Sequence, residues 1–98
     1  VGVFILGDID WVNQTAEMSY GIFKPERGKG YGSDLVQAGT AFAFDVLNLR
    51  RIGCEVLANN TASIHCVEKA GYKREGEKRE AVFRCGVKYN SLVYGILR

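Results

Sequence analysis

The chain is short of several things that specialised protein classes require. Cysteine is sparse: Cys54, Cys66 and Cys85 are three in 98 residues, an odd and widely spaced set that fits neither a disulfide framework nor the CxxC pairs of a zinc site. A reducing cytoplasm is therefore the expected home, and no metal is expected. Charge of one sign is also scarce, with 13 Lys and Arg against 11 Asp and Glu and a net charge of +2. The two signs are interspersed, so the clustered bases of a nucleic-acid surface are missing and no nucleic acid is expected as partner. No long apolar run is present. The opening one, residues 1–6, is too short to span a bilayer, and no basic stretch precedes it as a signal peptide would need, so no membrane partner is expected. The chain opens without Met inside a strand-like segment, which reads as the cut edge of something longer.

What is present belongs to an ordinary globular domain: 47% hydrophobic and 24% charged residues, with no repeat, linker or low-complexity stretch. A chain of this length buries roughly 60% of its unfolded surface around one core, so residues 1–98 are read as a single domain.

Residues 1–6 are β-branched and aromatic, and Gly7, Asp8, Asn13 and Gln14 punctuate the stretch after them, so the spacing predicts a strand, a turn and a second strand over 17–23. These two are expected to pair antiparallel. Pro25 stops the second strand, and a glycine-dense stretch leads into a helix over 33–49, where Leu35, Ala38, Phe42, Val46 and Leu49 recur at helical spacing. A strand over 52–57 comes next. Asn59, Asn60 and Thr61 then offer capping oxygens for a helix over 61–70, and Gly71 sits where a left-handed C-terminal cap is needed. Two late strands, 79–84 and 88–97, turn at Cys85-Gly86. Strand, loop, helix and strand in the middle imply a parallel crossover. The class is therefore α/β (α+β), with a mixed sheet and helices covering it.

The glycines fail two nucleotide signatures. Lys29 is followed by Gly30 where a Walker loop needs Ser or Thr, and Ser33 stands where a dinucleotide fingerprint needs its third glycine. What stands is Arg27-x-x-Gly30-x-Gly32 between a strand and a long helix. Such a loop turns backbone N–H groups toward one point, and a helix N-terminus adds about half a positive charge beside Arg27 and Lys29. That arrangement suits a pyrophosphate; a plain glycine-rich turn is the alternative.

This loop, joined to the helix, the strand ending in Asn59-Asn60, and Asn60-x-x-Ser63-x-x-x-x-Glu68-Lys69-x-Gly71-Tyr72, resembles the GNAT superfamily of acetyl-CoA-dependent N-acetyltransferases. The tail, with Lys73 to Gly76, Arg79, Gly86 and Tyr89 onward, is similar to the branch of ribosomal-protein N-terminal, spermidine and amino-sugar acetyltransferases. The resemblance implies a GNAT-like, mostly antiparallel mixed sheet with two helices packed on it. It also implies acetyl-CoA as co-substrate, without a metal, and an amine acceptor: a protein N-terminus, an amino sugar or a polyamine. Carried over by position, it gives Arg27, Gly28, Lys29, Gly30, Gly32 and Ser33 to the pyrophosphate and backbone groups of Gly21, Ile22 and Phe23 to the pantetheine arm. One of those backbone N–H groups would polarise the thioester carbonyl. Asn60 would face the arm, or serve only as a helix cap.

The amine must lose a proton before it attacks. For a lysine-like amine near pKa 10.4 at neutral pH that costs roughly 4.6 kcal/mol, and for an α-amino group near 8 only about 1.4. Glu55 occupies the strand position where some relatives carry a proposed base, and its other reading is a surface carboxylate. The helix position that often carries a Tyr acid is Val67 here, so Ser63 is the expected substitute, with a first-turn structural role as its alternative. The place of a glutamate base in the ribosomal-protein branch falls on Val82. Cys54 and Cys66 read as small buried residues. His65 and Cys66 are adjacent on the helix, about 100° apart, which argues against covalent catalysis. Phe42, Phe44, Tyr72, Phe83 and Tyr94 read as core rather than a substrate cage, and Trp11 as either.

Family members normally have a strand, two helices and another strand ahead of this point, which form much of the acceptor wall. The resemblance leaves three functions open: an acetyltransferase completed by a second copy as a homodimer, a CoA-binding remnant without efficient turnover, or a non-catalytic dimerising module.

Overall fold

The structure is a computed structural model and describes residues 2–23 and 30–98. Its element order is β1 (Gly2–Asp10), β2 (Thr15–Ile22), α1 (Tyr31–Asp45), β3 (Arg51–Leu57), α2 (Thr61–Lys69), β4 (Lys73–Arg84) and β5 (Val87–Leu97). The strands form one sheet in the order β1-β2-β3-β5-β4. β2 and β3 run parallel, while the β1–β2, β3–β5 and β4–β5 pairs are antiparallel, so the expected mixed and mostly antiparallel α/β class is what forms.

Local chemistry accounts for the turns. Between β1 and β2 the Asp10 carboxylate accepts the backbone N–H groups of Val12 (3.0 Å) and Asn13 (2.9 Å), holding the reversal without a glycine. β4 turns into β5 through Cys85 (φ 50°) and Gly86 (φ 77°), two successive positive φ values that match the twist of a tight hairpin. α2 ends in a Schellman motif: Tyr72 N–H donates to Val67 C=O at 3.0 Å and Gly71 N–H to Glu68 C=O at 3.0 Å.

Alternation along the strands sends Ala16, Met18, Ile52, Cys54, Val56, Leu92 and Tyr94 to one face, where they pack with Val36, Ala43, Val67 and Tyr72. Both helices cover that face. The opposite face carries Val3, Ile5, Glu17, Ser19 and Glu55, all exposed.

The buried stripe of α1 differs from the expected one. Ser33, Val36, Thr40 and Ala43 face the sheet, whereas Phe42 is 53% exposed and Val46 lies beyond the helix end, also exposed. The helix sits too close for large residues: a β-carbon built on Gly39 would stand 2.5 Å from the Phe4 ring. Thr40 instead reaches the buried Tyr72 hydroxyl at 2.7 Å. Phe83, expected in the core, is 69% exposed on the hairpin, and Trp11 is exposed in the β1–β2 turn. Among the described residues, no helix is long and apolar enough to cross a membrane.

Candidate functional site

The sheet splits at its centre. β2 and β3 pair only over Thr15–Arg51, Ala16–Ile52 and Glu17–Gly53. Beyond those residues β2 continues on β1 and β3 continues on β5, so their facing edges part. The gap opens at the carboxyl ends of two parallel strands, where open α/β sheets receive ligands. The first turns of α1 and α2 border it.

A cleft of about 560 Å³ lies beside this gap, between the end of β2 and the starts of the two helices, lined by residues 20–22 of β2, residues 30–32 at the start of α1, and Asn60, Ala62, Ser63, His65 and Cys66 of α2. Its volume lies within the range of small-molecule sites. Three glycines shape it. β-carbons built on Gly21 and Gly30 would meet no atom within 4 Å, so side chains there would project into open space. Gly32 is needed for close approach, since its β-carbon would stand 3.1 Å from the Cys66 sulfur. Gly30 caps α1 at φ 81° with no side-chain cap bond, leaving the first-turn N–H groups of a 15-residue helix without a side-chain acceptor from that cap. Asn60 does act as a cap: its Oδ1 accepts Ser63 N–H at 3.1 Å while the same residue lines the cleft.

A smaller recess of about 110 Å³ lies in the split itself, lined by residues of β2, by Cys54, Glu55 and Val56 of β3, and by Ser63 and Val67 of α2. The Tyr20 hydroxyl and Ser63 Oγ are 2.7 Å apart at the boundary. Burial, together with the neighbouring Cys66, pushes the Tyr20 phenol up to about 12, against the Ser63 hydrogen bond. Glu55 is held in place from two sides, by Lys78 Nζ at 2.9 Å and by Ser91 Oγ at 2.9 Å. Both bonds hold its carboxyl below the usual carboxylate range. Glu17, on the same open face, moves the other way: burial raises it first, then the Glu55 charge.

Gly21, Ile22, Gly30, Gly32, Asn60 and Ser63 thus come together around the cleft, and Glu55 and Ser63 both line the recess. Phe23 is exposed and does not line the cleft. Ser33 is buried, its hydroxyl accepts the Gln37 side-chain N–H at 3.0 Å, and it does not line the cleft. Arg27, Gly28 and Lys29 lie outside the described residues. Cys54 is buried as expected, while Cys66 is half-buried and lines the cleft. Tyr20 lines the cleft too and is not among the residues the sequence motifs single out. The period-two alternation Ala16, Met18, Tyr20 was the available signal, since it puts the phenol on the helix-covered face.

The family described as acetyltransferase (GNAT) domain matches residues 1–73. The SPbeta prophage-derived uncharacterized N-acetyltransferase YokL of Bacillus subtilis is 31% identical over 98 residues, covering 100% of this chain and 55% of that protein. The putative ribosomal N-acetyltransferase YdaF of the same organism is 29% identical, covering 99% of this chain and 53% of its own length. Among solved structures, a mutant form of spermidine N-acetyltransferase SpeG from Vibrio cholerae superposes with a TM-score of 0.94 at 28% identity, over 99% of this chain and 57% of that one. The chain spans a little over half the length of these relatives.

Proposed function

The chain belongs to the GNAT acetyltransferase family, and from that premise we propose that it binds acetyl-CoA in the central cleft and acetylates a primary amine presented from the recess. The observation that carries this reading is the split between β2 and β3, with two helix N-termini at its rim and open glycine positions in its wall.

The residues suit the cofactor's chemistry. The start of α1, where Gly30 makes no side-chain cap bond, offers N–H groups to a pyrophosphate with the backbone of Gly32 and Ser33, and Arg27, Gly28 and Lys29 precede it in sequence. Backbone of Gly21 and Ile22 lines the path of the pantetheine arm, with Phe23 next along the chain, and Asn60 borders it while capping α2. When bound, acetyl-CoA supplies an acetyl group activated as a thioester. On the other side Glu55 supplies a negative charge that attracts an ammonium, and Glu17 adds to that field. With its carboxyl held low, Glu55 is a weak base. It suits an α-amino group, which needs little help to lose its proton, and accepts that proton directly or through water. Ser63 stands at the junction, lining both the cleft and the recess. Protein N-termini, amino sugars and polyamines are the acceptor classes.

A second reading, CoA binding without efficient turnover or a dimerising module, draws on the uncovered sheet face, where Val3 and Ile5 are exposed beside the charged residues. One experiment separates them. Calorimetry with CoA followed by free-thiol release over a panel of amines should show both binding and turnover. Binding without thiol release selects the non-catalytic reading, and no binding removes both uses of the cofactor.

A further inference from the structure

Among the described residues, Tyr20 and Ser63 are the two that line both the 560 Å³ cleft and the 110 Å³ recess. Their oxygens are within hydrogen-bond distance, 2.7 Å, across 43 residues of sequence. The recess holds Glu55 and the cleft holds the two helix N-termini, so the hydroxyl pair bridges the side that would present an amine and the side that would release a thiol. Resting on the acetyl-transfer reading, we propose that Tyr20 and Ser63 form a proton relay, carrying the proton shed by the attacking nitrogen to the departing sulfur.

The step balances without any further reactant. The nitrogen–carbon bond forms as the carbon–sulfur bond breaks, and that bonding pair leaves with sulfur. Glu55 takes the proton an ammonium must lose before it attacks; the second, surplus proton, carried by the nitrogen once it bonds to carbon, goes to the Tyr20 oxygen, the Tyr20 proton to Ser63 Oγ, and the Ser63 proton to sulfur. Both hydroxyls end neutral. Burial keeps Tyr20 protonated throughout the physiological range, so it always has a proton to pass, and a concerted transfer never leaves a tyrosinate behind. Ser63 is fixed for the task by its backbone bond to Asn60 at 3.1 Å. Val67, the other α2 residue lining the recess, has no proton to give.

A hydroxyl pair that merely ties α2 to β2 would affect stability and nothing else, and the test separates the two roles. In the full chain, Tyr20→Phe and Ser63→Ala should each lower kcat about 10²-fold while leaving the CoA Kd within about twofold by calorimetry. The double variant should be no slower than the slower single, and Ser63→Thr should regain most of the rate. In H₂O/D₂O mixtures the native rate should show a curved proton inventory and Tyr20→Phe a linear one. Without any ligand, the Tyr20 ring-carbon NMR signal should move on Ser63→Ala. Additive losses in the double variant, an unchanged kcat in Tyr20→Phe, or an unmoved Tyr20 signal overturns the relay. If Tyr20→Phe does not fold, Ser63→Ala against Ser63→Thr with the proton inventory decides. A native chain that fails to bind CoA removes the acetyl-transfer reading and the relay together, and so is distinct from intact binding with an unchanged variant kcat, which removes the relay alone. A chain that binds CoA yet turns over no amine overturns it too.

Discussion

Gly32 and Cys66 bring α1 and α2 together so closely that a β-carbon on the first would stand 3.1 Å from the sulfur of the second. This contact sets the width of the cleft between the helices. Gly32→Val should therefore force the helices apart or fill the cleft, destabilising the fold by about 1–3 kcal/mol and weakening CoA binding tenfold or more, about 1.4 kcal/mol per decade. Thermal unfolding and calorimetry on the same variant check both effects. Unchanged CoA affinity in a folded Gly32→Val protein would place the cofactor elsewhere.

The acid limb of activity should track the contacts of Glu55. Lys78 and then Ser91 lower its pKa in the folded state, so its contribution to stability is present above the unfolded value and is lost as pH falls through the folded one, below the usual carboxylate range. The group is exposed, so this stability term is small. The kinetic effect is clearer: Lys78→Met should raise the Glu55 pKa and shift the acid limb of kcat/KM to higher pH. Glu55→Gln should lower turnover about 10²-fold with little change in CoA binding. Full activity of Glu55→Gln between about pH 6 and 9 would leave Glu55 as a surface carboxylate.

The three cysteines should separate by reactivity. Burial, ahead of the charges of Glu17 and Glu55, pushes the Cys54 thiol up to about 12, and thiolate is the reactive form. Cys85 is exposed and Cys66 lines the cleft. Peptide mapping after iodoacetamide treatment should find Cys85 modified in the native protein, Cys66 modified but protected by CoA, and Cys54 modified only after unfolding. Equal labelling of Cys66 with and without saturating CoA would count against the cofactor position.

Two local devices hold α2 and its neighbours. Gly71 stands at φ 101°, and a β-carbon there would also come within 3.3 Å of Ile96. Gly71→Ala should cost about 1–2 kcal/mol, lowering Tm by roughly 4–8 °C per kcal/mol in a domain of this size. Thr40→Val leaves the Tyr72 hydroxyl without its 2.7 Å partner in a buried place, a loss of about 1–3 kcal/mol. Differential scanning calorimetry reads both, and a Gly71→Ala protein with the native Tm would mean the left-handed cap is dispensable.

Much of the architecture is legible in local chemistry. The order of strands and helices, the hairpin at Cys85-Gly86, the cap at Asn60 and the Gly71 terminus each depend on a few adjacent residues, so the chain states them directly. The glycine positions of the cleft wall were visible for the same reason. The parallel crossover was legible too, because a strand, a helix and a strand in succession leave few ways to rejoin one sheet.

Other features depend on what stands opposite. The apolar spacing of α1 pointed to Phe42 and Val46, but the face that packs is Ser33, Val36, Thr40 and Ala43, because Phe4 and Tyr72 already occupy the space beneath the helix. The charge environment of Glu55 comes from Lys78 and Ser91, more than 20 residues away along the chain. The meeting of Tyr20 and Ser63 spans 43 residues and exists only because β2 and β3 part while α2 folds back over the gap. Sequence by itself determined which elements form and where they turn, since propensity and capping act over one or two turns of chain. Tertiary structure decided which faces are buried and which hydroxyls and carboxylates become neighbours, since packing and electrostatics depend on distance in space.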